Sequence, residues 1–298
     1  MTEAEADSVA PNPAPNADPS AAPAPSALPV PGLVPDPAFA SGTTTPSTTP
    51  ALRIVGLRKA FGDKVAVENL DLTVPSGSFY GLVGPNGAGK TTTLSMATGL
   101  LRPDAGTIEI LGTDVWRENV KAKSLVGVLS DGVALFDRLT GEQLVTYHGL
   151  LHGMERETVA QRTADLLELL DLREAGGTLV VDYSAGMTKK IALASALVHA
   201  PRLLVLDEPF ESVDPVSATN IRDLLTGYAQ GGGTVIVSSH SMDLVQRMCD
   251  HVAVIGSGRL LAAGTTDEVR AGSTLEDRFV ELVGGRHTTE GPAWLRTS

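Results

Sequence analysis

Residues 84–91 read Gly84-Pro85-Asn86-Gly87-Ala88-Gly89-Lys90-Thr91, the full G-x-x-x-x-G-K-[ST] spacing of a phosphate-cradling loop. Each required residue type has its own physical job. The glycines let the backbone curl so that successive N–H groups face phosphate oxygens, the lysine adds a point charge, and the hydroxyl reaches Mg²⁺. The setting agrees with the spacing. Ser78-Phe79-Tyr80-Gly81-Leu82-Val83 reads as a short apolar strand, and residues 90–99, with Thr92 near the start, read as the helix behind the loop. Phosphate would then meet a helix N-terminus. The pattern implies a nucleoside triphosphate site.

A second constellation lies downstream. Leu203-Leu204-Val205-Leu206-Asp207-Glu208 is an apolar strand ending in two carboxylates. At a strand tip beside the phosphate loop, Asp207 could hold Mg²⁺ or its waters. Glu208 could orient and deprotonate the water that attacks the γ-phosphate. Read alone, the segment is equally a strand followed by a charged turn. Tyr183-Ser184-Ala185-Gly186-Met187 precedes a helical stretch over 186–199. By itself, a serine there is simply an N-cap.

The elements that must position these residues follow from hydrophobic period. Residues 53–57 and 65–74 alternate like half-buried strands about a turn at Gly62-Asp63. Further strands fit 107–111, after the turn Asp104-Ala105-Gly106, and 125–129. The stretch 140–200 changes character, with helical apolar spacing over 142–152 and 157–170. Strand–helix alternation then returns. Residues 203–206 and 235–237 are continuous apolar runs, as expected of parallel strands covered on both faces, and 252–255 and 259–263 close the series. The expected fold is α/β: a P-loop NTPase core with a parallel sheet, an N-terminal antiparallel β-subdomain, and a helical subdomain inserted over about 131–200. No internal repeat signals a second copy.

Composition bounds the rest. Residues 1–50 are rich in Ala, Pro, Ser and Thr, with five acidic residues and no Lys or Arg, and read as a disordered tail. They lack the basic start and apolar run of a signal peptide. The folded domain is expected over 51–285, with a flexible tail at 286–298. No stretch approaches the roughly 18 apolar residues that span a bilayer, so the expectation is a soluble chain whose membrane role needs a partner. The single cysteine, Cys249, excludes an intrachain disulfide and a cysteine-based zinc site and reads as a small buried residue on a helix. A net charge of −12 argues against a nucleic-acid surface.

The order of phosphate loop, helical insertion, Ser-x-Gly helix start and Asp-Glu strand resembles the ATP-binding cassette (ABC) family over roughly residues 52–285. The family signature is Leu-Ser-Gly-Gly-Gln. The resemblance implies that Ser184 and Gly186 present a hydroxyl and helix N–H groups to the γ-phosphate held by another subunit. It matches Phe61 to the aromatic that stacks on adenine, the alternative being a core phenylalanine. It matches His240, in Ser238-Ser239-His240, to the switch histidine at the γ-phosphate, the alternative being a structural histidine. Asp214, in Glu211-Ser212-Val213-Asp214, matches the D-loop that crosses the dimer interface.

The departures from the family pattern are specific. Asp131, in Ser130-Asp131-Gly132, stands where the family has the glutamine that binds Mg²⁺ and senses the membrane partner; a carboxylate can ligate Mg²⁺ but adds negative charge near the phosphates. Tyr183, Ala185 and Met187 replace Leu, Gly and Gln of the signature, while Ser184 and Gly186 remain. The resemblance implies an active ATPase, using ATP and Mg²⁺, that drives transport of the export type. Its partners would be a separate integral membrane permease and a second ATPase subunit, as a homodimer, at the cytoplasmic face of the membrane, with no nucleic acid. The permease would dock over about 131–151, where Val133-Ala134-Leu135-Phe136 is unusually apolar for a loop. The alternative there is that Leu135 and Phe136 tuck into the chain's own core. A soluble ABC protein of translation or DNA repair would carry two cassettes or long coiled-coil or zinc insertions, and a GTPase would need an Asn-Lys-x-Asp motif. Neither is found.

Overall fold

A computed structural model describes residues 49–132 and 134–283, so the tail read over 1–50, but for its last two residues, and the tail read over 286–298 lie outside the described residues. Strands run β1 Leu52–Phe61, β2 Lys64–Val74, β3 Phe79–Val83, β4 Ala105–Ile110, β5 Thr113–Asp114, β6 Val126–Leu129, β7 Leu203–Asp207, β8 Thr234–Ser239, β9 His251–Gly256 and β10 Arg259–Thr265. The helices are α1 Lys90–Ala97, α2 Asn119–Leu125, α3 Gly141–Leu151, α4 Arg156–Leu169, α5 Ala185–Leu197, α6 Pro215–Gln230, α7 Met242–Met248, α8 Thr266–Arg270 and α9 Leu275–Leu282.

The strands form two sheets. One is antiparallel, in the order β2-β1-β4-β5; the other runs β10-β9-β3-β8-β7-β6 and is parallel except for the antiparallel edge strand β10. Every residue of β3, β7 and β8 is buried, which explains why their sequences are continuous apolar runs. The pleat divides β3 between two cores. Phe79 and Val83 join the core beneath α3, α4, α5 and α6, while Tyr80 and Leu82 join the one shared with α1 and the antiparallel sheet. The parallel sheet is thus covered on both faces, and its strand tips carry the site.

Two segments depart from the sequence reading. Residues 119–125 form α2, and the strand expected from 125 starts at Val126. This helix buries only Ala122, so seven residues carry too little apolar period to be read as helix. Strand β1 continues to Phe61 because register shifts between Ile54 and Ala60 interrupt its alternation, hiding the second half of the strand. Cys249 is buried as expected but caps the end of α7 instead of lying within it, and burial pushes its thiol pKa up.

Candidate active site

The loop between β3 and α1 is held by its own glycines and lysine. Gly89 sits at φ 105°, and a Cβ there would come within 2.6 Å of the Ala66 carbonyl, so only glycine fits. A Cβ on Gly84 would come within 2.2 Å of the Ile255 carbonyl. No side chain caps the start of α1, which leaves its first N–H groups without a side-chain acceptor. The Lys90 ammonium folds back to donate to Gly84 O at 2.8 Å and Pro85 O at 3.4 Å. Residues 86–92 form one wall of a cavity of about 480 Å³, with Gly84 and Pro85 behind it. An uncapped helix start and a buried ammonium facing a cavity of this size fit a polyphosphate.

The tips of β7 and β8 bring four further residues together. Parallel pairing sets Asp207 opposite Ser238, whose hydroxyl donates to Asp207 Oδ1 and accepts from Glu208 N at 3.0 Å. Glu208 Oε1 faces Lys90 Nζ at 3.6 Å, and its Oε2 meets His240 Nδ1 at 3.2 Å. Glu208 and His240 line the cavity together with Phe61, Asp131 and Thr91. Asp207 does not; it is 4% exposed and lies behind the wall. Phe61 is not a core residue, being 53% exposed, with Lys59 Nζ 5.6 Å from its ring centroid. Lysine, carboxylate and histidine converging on one wall can bind phosphate and take a proton from a water beside it.

The comparisons with known proteins bear on the same residues. The sequence profile described as ABC transporter matches residues 67–211. The daunorubicin resistance ATP-binding protein DrrA3 of Streptomyces coeruleorubidus is 38% identical over 221 residues, covering 74% of this chain and 70% of that protein. The chain belongs to the ABC transporter family, as an ATP-binding subunit. The Nod factor export ATP-binding protein I of Cupriavidus metallidurans is 37% identical over 225 residues, 74% of this chain and 73% of that one. A solved ATP-binding subunit of an ABC transporter superposes with a TM-score of 0.74 at 26% identity, covering 78% of this chain and 99% of its own. As a member of this family the chain is an ATPase subunit that binds nucleotide. Among its described residues no helix is long and apolar enough to cross a membrane.

The segment that resembles the ABC signature, with Asp214, lies in a second patch apart from the cavity. Ser184 caps α5, accepting from Met187 N at 3.3 Å, and Gly186 lies against Asp214, whose Oδ2 would be 3.6 Å from a Cβ there. Asp214 in turn caps α6 through Ser217 N and Val216 N, which hold its carboxyl below the usual range. None of these three lines the cavity of their own chain. Tyr183, in the place of the signature leucine, is buried and donates to Ala175 O at 2.7 Å, while Gly141 leaves room for its hydroxyl.

Three residues in or beside the cavity carried no functional reading in the sequence. Ser238 was legible only as the end of an apolar strand. Lys189, on α5, donates to Glu208 O at 2.8 Å and faces Asp131 Oδ1 at 3.5 Å. Lys64 lines the cavity from β2. The lysine at 189 carried one signal, a basic residue on the signature helix of a chain whose Asp131 adds negative charge.

A second, apolar groove of about 740 Å³ runs between α2, β6, α3 and α5. Val120 and Leu151 project into it, 81% and 65% exposed. Leu135 lines it while packing against the core, whereas Phe136 stands outside, 57% exposed, edge-on to Tyr147 at 5.5 Å. The two residues expected to act alike are therefore split.

Proposed function

We propose that this chain is the motor of an ABC exporter, binding ATP between two copies of itself and hydrolysing it to drive a separate permease. The observation that carries the reading is the contact of Glu208 with both Lys90 and His240 on one cavity wall. In this reading Phe61 stacks on adenine, and residues 84–92 hold the phosphates through backbone N–H groups and the Lys90 charge. Glu208 accepts a proton as a water oxygen attacks the γ-phosphorus and the bond to the β-phosphate oxygen breaks. His240 contacts the γ-phosphate. Thr91 and Asp131 on the wall, with Asp207 behind it, are a hydroxyl and carboxylate set that fits Mg²⁺, which when bound would offset phosphate charge.

Ser184, Gly186 and Asp214 form a patch that cannot serve their own chain's cavity, which supports their use across a dimer. The ATPase domain then spans 51–285, with the helical insertion over about 131–200. Export follows the drug-resistance and Nod factor export names of the relatives, and the permease would seat in the groove beside Leu135, at the cytoplasmic face of the membrane. Size-exclusion chromatography of Glu208→Gln with ATP tests the core of this. A nucleotide-dependent dimer with no turnover is expected; a monomer under saturating ATP would sink the shared-site reading.

A further inference from the structure

Glu208 is held in an uncommon way. Its φ of 47° lies in the left-handed region, which a residue with a side chain occupies only where its surroundings fix it. The amide is fixed by Ser238 Oγ. The carbonyl accepts from Glu211 N at 3.2 Å and from Lys189 Nζ at 2.8 Å. Lys189 does not line the cavity, so it is no phosphate ligand; its other contact is the Asp131 carboxylate at 3.5 Å. Its side chain is 17% exposed and that of Asp131 is 50%. One ammonium therefore joins the loop after β6, the signature helix α5 and the tip of β7.

We propose that Lys189 is a positioning residue for hydrolysis: held by Asp131, it fixes the backbone of Glu208 and so aims the carboxylate at the attacking water. The proposal rests on the reading of Glu208 as the water-activating group. It also gives Asp131 a task that the usual glutamine could not perform, since a neutral amide would leave the Lys189 charge unbalanced. Losing the ammonium leaves the Glu208 carbonyl with the Glu211 N–H alone and loosens the aim of the side chain, which costs proton-transfer alignment and leaves the phosphate loop untouched.

Steady-state ATP hydrolysis by the purified full chain, with binding of a fluorescent ATP analogue measured alongside, decides the matter. Lys189→Met should lower kcat by about tenfold or more, with KM and analogue affinity within about twofold. Lys189→Arg should recover most of the lost kcat, because it keeps a charge on a long stem. Wild-type kcat in Lys189→Met, or lost nucleotide affinity with kcat intact, overturns the proposal. Should Lys189→Met not fold, Lys189→Gln takes its place under the same criteria. Glu208→Gln is run in parallel. Turnover surviving there overturns the reading of Glu208 itself, whereas a dead Glu208→Gln beside a fast Lys189→Met removes only the role of Lys189.

Discussion

Glu208 Oε2 lies 3.2 Å from His240 Nδ1, although the two residues are 32 positions apart in the chain. The contact exists because β7 and β8 are parallel neighbours, so both chains leave the sheet at the same edge. It places a proton acceptor and an imidazole against the same cavity, next to the Lys90 ammonium. Glu208→Gln keeps the shape of the carboxylate but cannot accept a proton. Turnover should fall by at least about a hundredfold while ATP affinity holds. Equal rates for the variant and the parent in a phosphate-release assay would take Glu208 out of the chemistry.

Lys90→Ala should fail differently. The ammonium ties Gly84 O, Pro85 O and Glu208 together, and its loss removes the charge set beside the phosphates. ATP affinity should drop by roughly tenfold to a hundredfold, in line with about 1.5–3 kcal/mol for a charged hydrogen bond. Equilibrium binding of a fluorescent ATP analogue measures it, and parental affinity would contradict the assignment.

Phe136→Asp probes the exposed surface beside the apolar groove. Phe136 is exposed and its ring contact is edge-on to Tyr147, so stability should change by no more than about 1 kcal/mol. The isolated chain should still fold and hydrolyse ATP, yet lose its co-purifying membrane component, because a charge has entered the apolar contact. Co-purification at the parental level, or an unfolded variant, would show that Phe136 is not part of a docking face.

The same groove should make stability depend on pH. His152 and His199 stack at 3.7 Å, and burial holds the His199 pKa at about 4, below its ordinary 6.5. Burial lowers His148 and His152 as well. Between those two pKa values the unfolded chain binds a proton that the folded chain does not, so stability falls as pH falls. For His199 the loss amounts to about 2 kcal/mol between about pH 7 and pH 5. Urea unfolding across that range should show the slope in the parent and a flatter one in His199→Gln, whose amide can still donate to Val126 O. Identical slopes would mean that His199 is not the titrating group.

The sequence by itself determined the phosphate loop, the strand ending in Asp207 and Glu208, the α/β class and the family. These are local facts: a glycine at a position where a Cβ would strike a neighbouring carbonyl, or a run of apolar residues long enough for a strand covered on both faces. Only the tertiary structure decided which strand tips are neighbours. Ser238 binds Asp207 and Glu208 through the register of β7 on β8, and no spacing along the chain encodes that register. Lys189 reaches Glu208 and Asp131 because α5 packs across the ends of β6 and β7, a long-range arrangement invisible to a helical period. Leu135 and Phe136, adjacent and both apolar, were separated by which of them met the core. Hydrophobicity places a residue at a surface that wants covering; whether the cover is its own chain or another is settled by the packing around it.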